Sequence, residues 1–111
     1  MQREIQIGTK MVPMRATAST SLRYKAVFRG DLLTELARKK PEAENVPIVQ
    51  QLAFIMSKSA EGANMNALTL NDYIDWLDQF ETLDLVEALP AALDLYMESA
   101  APSSEAKKND P

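Results

Sequence analysis

With 111 residues, of which 46% are hydrophobic and 25% charged, the chain has room for one globular domain with a modest core. It contains no cysteine and no histidine, which excludes disulfides, thiolate metal sites and the commonest general base near neutral pH. No stretch approaches the roughly 18 consecutive apolar residues of a membrane span, and the N-terminus lacks the apolar region of a secretory signal. We therefore expect a cytoplasmic protein without cofactor or metal, not an enzyme.

The net charge of −4 conceals opposite charges in two parts of the chain. Residues 1–40 hold nine basic and three acidic groups, a charge of +6, whereas residues 41–100 hold one basic group, Lys58, and eleven acidic groups, a charge of −10. The acidic part would repel phosphate, so we expect no binding to nucleic acid. The asymmetry predicts attraction between the two parts, within one copy or between copies. The alternative is a solvated surface with weak ion pairs.

The N-terminal residues have the pattern of a β-hairpin. Residues 3–7 alternate between polar and apolar, residues 8–10 supply a turn with Gly8, and residues 11–14 form a second short extended run. The hairpin is expected over about residues 3–15. Pro13 has no backbone N–H to donate, so the second strand should be an edge strand or should kink there.

Helical spacing of apolar residues follows the hairpin. It predicts a helix over residues 21–29, a short helix capped by Asp31, a connector over residues 41–45, and an apolar helix over residues 47–60 that forms the centre of the core. The residues expected to face inward are Leu32, Leu33 and Leu36 in the short helix, and Ile48, Val49, Leu52, Ala53, Ile55 and Met56 in the apolar helix.

The strongest amphipathic signal covers residues 70–101. A surface loop over residues 59–69 should precede it, and either Thr69 or Asn71 should cap its first helix. Pro90 should kink or interrupt the helix that follows. In the last turns of that helix we expect Leu93 to be buried together with either Tyr96 or Met97.

These elements together predict the fold class. We expect a mainly α protein, with about four to six helices and a short N-terminal β-hairpin, as a single domain over residues 1–101. Residues 102–111 contain no large apolar residue and two prolines, so we expect a disordered tail there.

The acidic helix supplies the candidate site. Asp72, Asp75 and Asp78 follow each other at three-residue spacing on the side opposite the apolar stripe. A calcium loop would need a glycine and a closing glutamate that are absent, so a docking surface for a basic partner, or a solvated face, is the better interpretation. Trp76 and Phe80 lie four residues apart, as a core pair or as a contact hot spot. The candidate protein-binding residues are Asp72, Asp75, Trp76, Asp78, Phe80 and Glu81.

The order of these segments resembles a known family. A basic hairpin leads into LRYKAVFRGDLLTEL, and IVQQLAFIMSK, DYIDWLDQFE, LPAALDLYMES and a tail with serine and lysine follow. The chain resembles, over about residues 3–108, the tail assembly chaperones of long-tailed phages and prophages of Gram-positive bacteria. The most specific elements are residues 54–56, residues 75–81, and the segment from Leu89-Pro90 to Asp94-Leu95-Tyr96.

The resemblance implies a non-enzymatic role in viral tail morphogenesis. Members of this family bind the tape measure protein and keep it soluble before tail tube subunits polymerise around it, which makes the tail tube protein a further expected partner. They act in the cytoplasm of the bacterial host and are absent from the mature virion. Copies arranged along one client would also contact each other, and the oppositely charged parts of this chain suit such self-association. A small cytoplasmic adaptor or regulator, presenting the acidic helix to a basic protein, remains the alternative.

Overall fold

The computed structural model describes residues 1–38 and 42–101, and this part of the chain is mainly helical behind an N-terminal β-hairpin. The elements are β1 (Gln2–Ile7), β2 (Lys10–Arg15), α1 (Thr20–Phe28), α2 (Leu32–Ala37), α3 (Glu42–Ala60), a 3₁₀ turn (Met65–Ala67), α4 (Leu70–Leu77) and α5 (Thr82–Ala100). The predicted fold class is therefore confirmed. The tail expected over residues 102–111 lies outside the described residues. None of the described helices is long and apolar enough to cross a membrane.

The hairpin register explains why β2 tolerates a proline. Met1 and Ala16 exchange two backbone hydrogen bonds, of 2.9 and 2.8 Å. In an antiparallel ladder, hydrogen-bonded pairs alternate with pairs that are not hydrogen-bonded, so Pro13, opposite Glu4, falls in a pair of the second kind. The missing N–H of Pro13 would have pointed away from β1, and the ladder loses no hydrogen bond.

The turn of the hairpin depends on Gly8. The pairing of the strands leaves Gly8 and Thr9 as a two-residue loop, and Gly8 has a φ of +62°. A glycine with positive φ at the first loop position is typical of a type II′ turn, whose twist matches that of the strands. Gly8 also lies against α5, because a Cβ added there would come within 2.5 Å of Asp84 Oδ2.

We expect Gly8→Ala to lower the free energy of unfolding by about 1–2 kcal/mol, because an L side chain is strained at this φ. Gly62→Ala is the matched control, since Gly62 has a φ of +77° but no heavy atom within 4 Å of an added Cβ. Urea denaturation followed by circular dichroism should show the larger loss for Gly8→Ala. Equal losses would mean that the contact with Asp84 contributes nothing.

One face of the hairpin joins the core, and Arg3 near its start pairs with helix α5. Ile5, Ile7 and Met14 are buried on this face. Arg3 makes a bidentate ion pair with Glu98 near the end of α5, with N–O distances of 2.9 and 3.2 Å. The hydrogen bond from Arg3, assisted by its charge, holds the pKa of Glu98 below its usual value. The hairpin is thus fixed along α5.

Helix α3 forms the centre of the core, as predicted. Leu52, Ala53, Phe54, Ile55 and Met56 are fully buried. Such burial on all sides follows from the hairpin, α1, α2, α4 and α5 all contacting this one helix. The predicted connector is wrong over residues 42–45, because α3 begins at Glu42. This segment is mostly glutamate and alanine, which are strong helix formers and outweigh the turn tendency of the neighbouring proline and asparagine.

Helix α2 is shorter than its sequence pattern. Asp31 caps it as predicted, since its carboxylate accepts a hydrogen bond from the Thr34 N–H at 3.2 Å. Leu32 is buried and Leu36 half-buried, but Leu33 is exposed, so the prediction of an inward position is wrong for Leu33. A helix of six residues contacts α3 along one narrow side only. Leu33 lies about 100° around the helix from Leu32, so it points away from that contact.

Helix α5 continues through its proline. The predicted interruption at Pro90 does not occur, because residues 82–100 are helical throughout. Pro90 is exposed and removes one backbone hydrogen bond, while buried residues on both sides of it hold the helix against α3 and β1. These buried residues are Leu85, Ala88, Leu89, Ala92, Leu95 and Tyr96. Leu93 is half-buried and Met97 exposed, so Tyr96 is the residue that completes the last buried turn.

Candidate functional site

Helix α4 begins with a reciprocal cap that uses one of the candidate acids. Thr69 Oγ1 accepts a hydrogen bond from the Asp72 N–H at 3.2 Å, and Asp72 Oδ2 accepts one from the Thr69 N–H at 2.8 Å. This capping box satisfies backbone donors that a helix start leaves unpaired. Of the two predicted caps, the structure has Thr69. The carboxylate of Asp72 therefore fixes the start of α4 and is not part of a free acidic face.

Trp76 lies in the core beneath the candidate surface. Its side chain is 3% exposed, its ring centroid lies 5.7 Å from that of Phe54, and its indole N–H donates to Ser57 Oγ at 3.1 Å. The neighbouring Tyr73 also packs on Phe54, at 5.1 Å, and burial raises the pKa of Tyr73 to about 12. The aromatic face of α4 is thus what attaches this helix to α3.

Phe80 lies between this core and the surface. Helix α4 ends at Leu77, so Phe80 belongs to the turn before α5 and not to the helical stripe. Its half-buried ring meets the Trp76 ring edge to face, with centroids 5.1 Å apart. Lys10 of β2 also lies over the Phe80 ring, with its Nζ 5.5 Å from the ring centroid, and this Nζ donates to the Gln79 carbonyl at 3.1 Å. The hairpin therefore orders the turn that carries Phe80.

An open groove runs beside this turn, between β2, the end of α3 and the α4–α5 turn. Its volume is about 450 Å³, and we refer to it as the Phe80 groove. Its lining includes Lys10, Met11, Val12, Trp76, Gln79 and Phe80. Met11 is exposed at its edge and Val12 is half-buried. The groove can therefore accept apolar side chains from a partner along an aromatic floor.

A second depression, which Phe80 also lines, has an acidic rim formed by Asp78 and Glu81. Asp84 and Lys10 also line it. Asp78 follows the last residue of α4, where the helix dipole is negative, and no basic residue lies in that last turn. Within residues 1–38 and 42–101 neither Asp78 nor Glu81 forms an ion pair. The negative charge of Asp78 therefore does not stabilise α4, but it can attract a basic partner.

The structure places the six predicted protein-binding residues at four different locations. Trp76 and Phe80 line the Phe80 groove, whereas Asp78 and Glu81 form the acidic rim of the second depression, which shares Phe80 with the groove. Asp75 is exposed on the outer side of α4, and Asp72 belongs to the helix cap. Sequence reasoning missed Lys10, Met11 and Val12, because nothing in the sequence shows that β2 lies beside a turn 69 residues further along.

The groove and the acidic rim offer two kinds of contact to a partner. In the part of the chain that the structure describes, no three carboxylates come together to hold a metal ion. The groove offers apolar contact, and the acidic rim beside it offers negative charge to a cation. Protein-family models, curated proteins and solved structures were compared with the chain, and no match was found.

Proposed function

We propose that the protein is a non-enzymatic tail assembly chaperone, of the kind found in long-tailed phages and prophages of Gram-positive bacteria. It binds the tape measure protein and keeps it soluble until the tail tube polymerises. The observation that carries the proposal is the Phe80 groove together with the neighbouring acidic rim. Residues 75–81, which are among those that most resemble the family, contribute Trp76, Gln79 and Phe80 to the groove and Asp78 and Glu81 to the rim. Action in the host cytoplasm and absence from the mature virion belong to this proposal.

The groove suits a long helical client with an exposed apolar stripe. Apolar side chains of the client lie against Phe80 and the edge of Trp76, while its Lys or Arg residues pair with Asp78 and Glu81. Each large apolar side chain so covered contributes about 1.5–3 kcal/mol if burial is complete, and less in an open groove. Binding at a single copy is therefore modest, which lets tail tube subunits displace the chaperone as the tube grows.

The acidic rim also determines how binding depends on salt. Attraction between an exposed rim and a basic client is screened over about 10 Å at 0.1 M ionic strength. We therefore expect faster association and tighter binding at low salt, with the apolar contacts of the groove remaining at high salt.

Co-expression tests the proposal. The protein should keep the tape measure protein encoded next to its gene in the soluble fraction, and the two should co-purify at low salt. Phe80→Ala is the variant that tests the groove, in comparison with the unchanged chain. It removes a side chain that lines the groove and is expected to leave more of the client insoluble. An insoluble client, together with no association at low salt, would overturn the proposal. A tail tube gene upstream and a very long helical gene downstream would support it at little effort.

A second candidate is a small adaptor or regulator that presents α4 to a basic protein. It is favoured by Asp75 and Asp78, two exposed acids that form no ion pair within the described residues. In that case Asp75→Asn with Asp78→Asn should abolish one specific interaction and leave tape measure solubility unaffected. A gene outside any phage cluster would also favour this candidate.

A further inference from the structure

Helix α1 has an apolar residue on its outer side among positive charges. Leu22 is 68% exposed and lies on the side of the helix opposite Tyr24. Lys25, Ala26 and Arg29, which follow it, are exposed as well. Helix α1 is held by its inner side alone, so nothing in its own packing requires a leucine at position 22.

Helix α4 shows the complementary arrangement. Leu70 is 70% exposed and Ile74 is 42% exposed, one helical turn apart. Asp75 lies beside them on the outer side, opposite the buried Tyr73 and Trp76. Apolar side chains are thus exposed together with negative charge on α4 and with positive charge on α1.

The two helices are neighbours within one copy. The rings of Phe28 in α1 and Tyr73 in α4 lie 5.1 Å apart, and both helices pack on α3. Their outer charges do not neutralise each other, since Lys25, Arg29 and Asp75 form no ion pair in the described parts of the chain. The positive charges of Lys25 and Arg29 and the negative charge of Asp75 are therefore available to a partner on adjacent elements.

We propose that this surface binds a second copy of the chain by two-fold symmetry, with α1 of each copy against α4 of the other. A two-fold interface requires a self-complementary surface, in which each contact occurs twice. Neighbouring groups of opposite charge, each beside exposed leucine or isoleucine, meet this requirement: Lys25 and Arg29 face Asp75, while Leu22 faces Leu70 and Ile74. The Phe80 groove is not part of this interface, so dimerisation and client binding can be tested independently.

The interface predicts a weak dimer that depends on salt. Its apolar contacts are few, so the buried area lies toward the low end of specific interfaces, below about 1,200 Å² in total. Exposed ion pairs each contribute little, and salt screens them. Dimerisation should therefore be strongest at low ionic strength.

Charge exchange tests the dimer, by sedimentation equilibrium of the full chain at low salt. Lys25→Glu and Asp75→Lys should each weaken dimerisation by about tenfold or more, because each change acts at both symmetric contacts. An equimolar mixture of the two variants should dimerise again, since the exchanged charges then attract at both contacts. The matched control is Glu4→Lys, an exposed acid on the outer face of the hairpin, which should leave the dimer intact.

Leu70→Ser provides a variant without a charge change, and it should weaken the dimer while thermal melting stays unchanged because Leu70 is exposed. Phe80→Ala should dimerise normally even where client binding is lost. A wild-type chain that stays monomeric at low salt, or a mixture that fails to dimerise, would overturn the proposal. Masses that grow beyond two copies with concentration would overturn its two-fold arrangement.

Discussion

Replacement of Trp76 by alanine is expected to lower the free energy of unfolding by about 3–5 kcal/mol, the cost of removing a large aromatic side chain from a core. The ring is buried between Phe54 and Phe80. Its loss would also leave the hydroxyl of Ser57, itself buried, without the indole N–H that donates to it. Trp76 is the chain's single tryptophan, so urea denaturation should be followed by circular dichroism and not by its fluorescence.

Three further variants divide this loss into its causes. Ser57→Ala removes the hydrogen bond and keeps the ring, and it should cost about 1 kcal/mol. Trp76→Phe keeps much of the ring and should fall between the two. Phe80→Ala, at a half-buried position, should cost about 1–2 kcal/mol. If Trp76→Ala left the unfolding free energy unchanged, the ring would not be part of the core, and a direct contact role for it would follow.

The position of Trp76 shows how far sequence reasoning reaches in this chain. The four-residue spacing of Trp76 and Phe80 is compatible with a core pair and with a contact hot spot, so the sequence leaves the role of Trp76 open. Its burial depends on Phe54 and Ser57 of α3, which are about 20 residues away in the chain. The buried face of α3 was predictable, because apolar residues recur around the whole helix. The hairpin was predictable too, since alternation and a glycine turn are both local signals.

The remaining differences arise where a local preference meets tertiary packing. A proline normally interrupts a helix, but α5 passes through Pro90 because its buried face continues on both sides. Leu33 fits an amphipathic pattern, yet α2 is too short to bury it. The Phe80 groove could not be predicted at all, since its two sides are formed by β2 and by the α4–α5 turn. Asp78 and Glu81 of the neighbouring acidic rim were evident in the sequence as acids, but their position beside the groove was not.

The groove and the core are physically coupled. Trp76 forms both the floor of the Phe80 groove and the anchor of α4 on α3, so a change there alters folding and binding together. The acidic rim has the opposite character, because Asp78 and Glu81 are exposed and make no ion pair within the described residues. Substitution of the rim is therefore the way to change binding without changing the fold.

Asp78→Asn combined with Glu81→Gln is expected to weaken client binding by about tenfold or more at low salt, with thermal melting almost unchanged. Asp78→Asn removes a negative charge from the negative end of the α4 dipole, which raises the free energy of unfolding by about 0.3–1 kcal/mol. Glu81→Gln removes a negative charge from the positive end of the α5 dipole, which lowers the free energy of unfolding by a similar amount. The two changes in stability nearly cancel, whereas both remove attraction for a basic client.

The control for this variant changes the same total charge elsewhere. Glu4→Gln with Asp94→Asn also removes two exposed acids, neither of which lines the Phe80 groove or the second depression with the acidic rim. Co-purification of the tape measure protein at low salt should fall for the rim variant and persist for the control. Equal losses would assign the effect to net charge and not to the rim. Unchanged binding in both would leave the groove's apolar contacts as the sole basis of recognition, because a rim that attracts the client cannot lose two charges without effect.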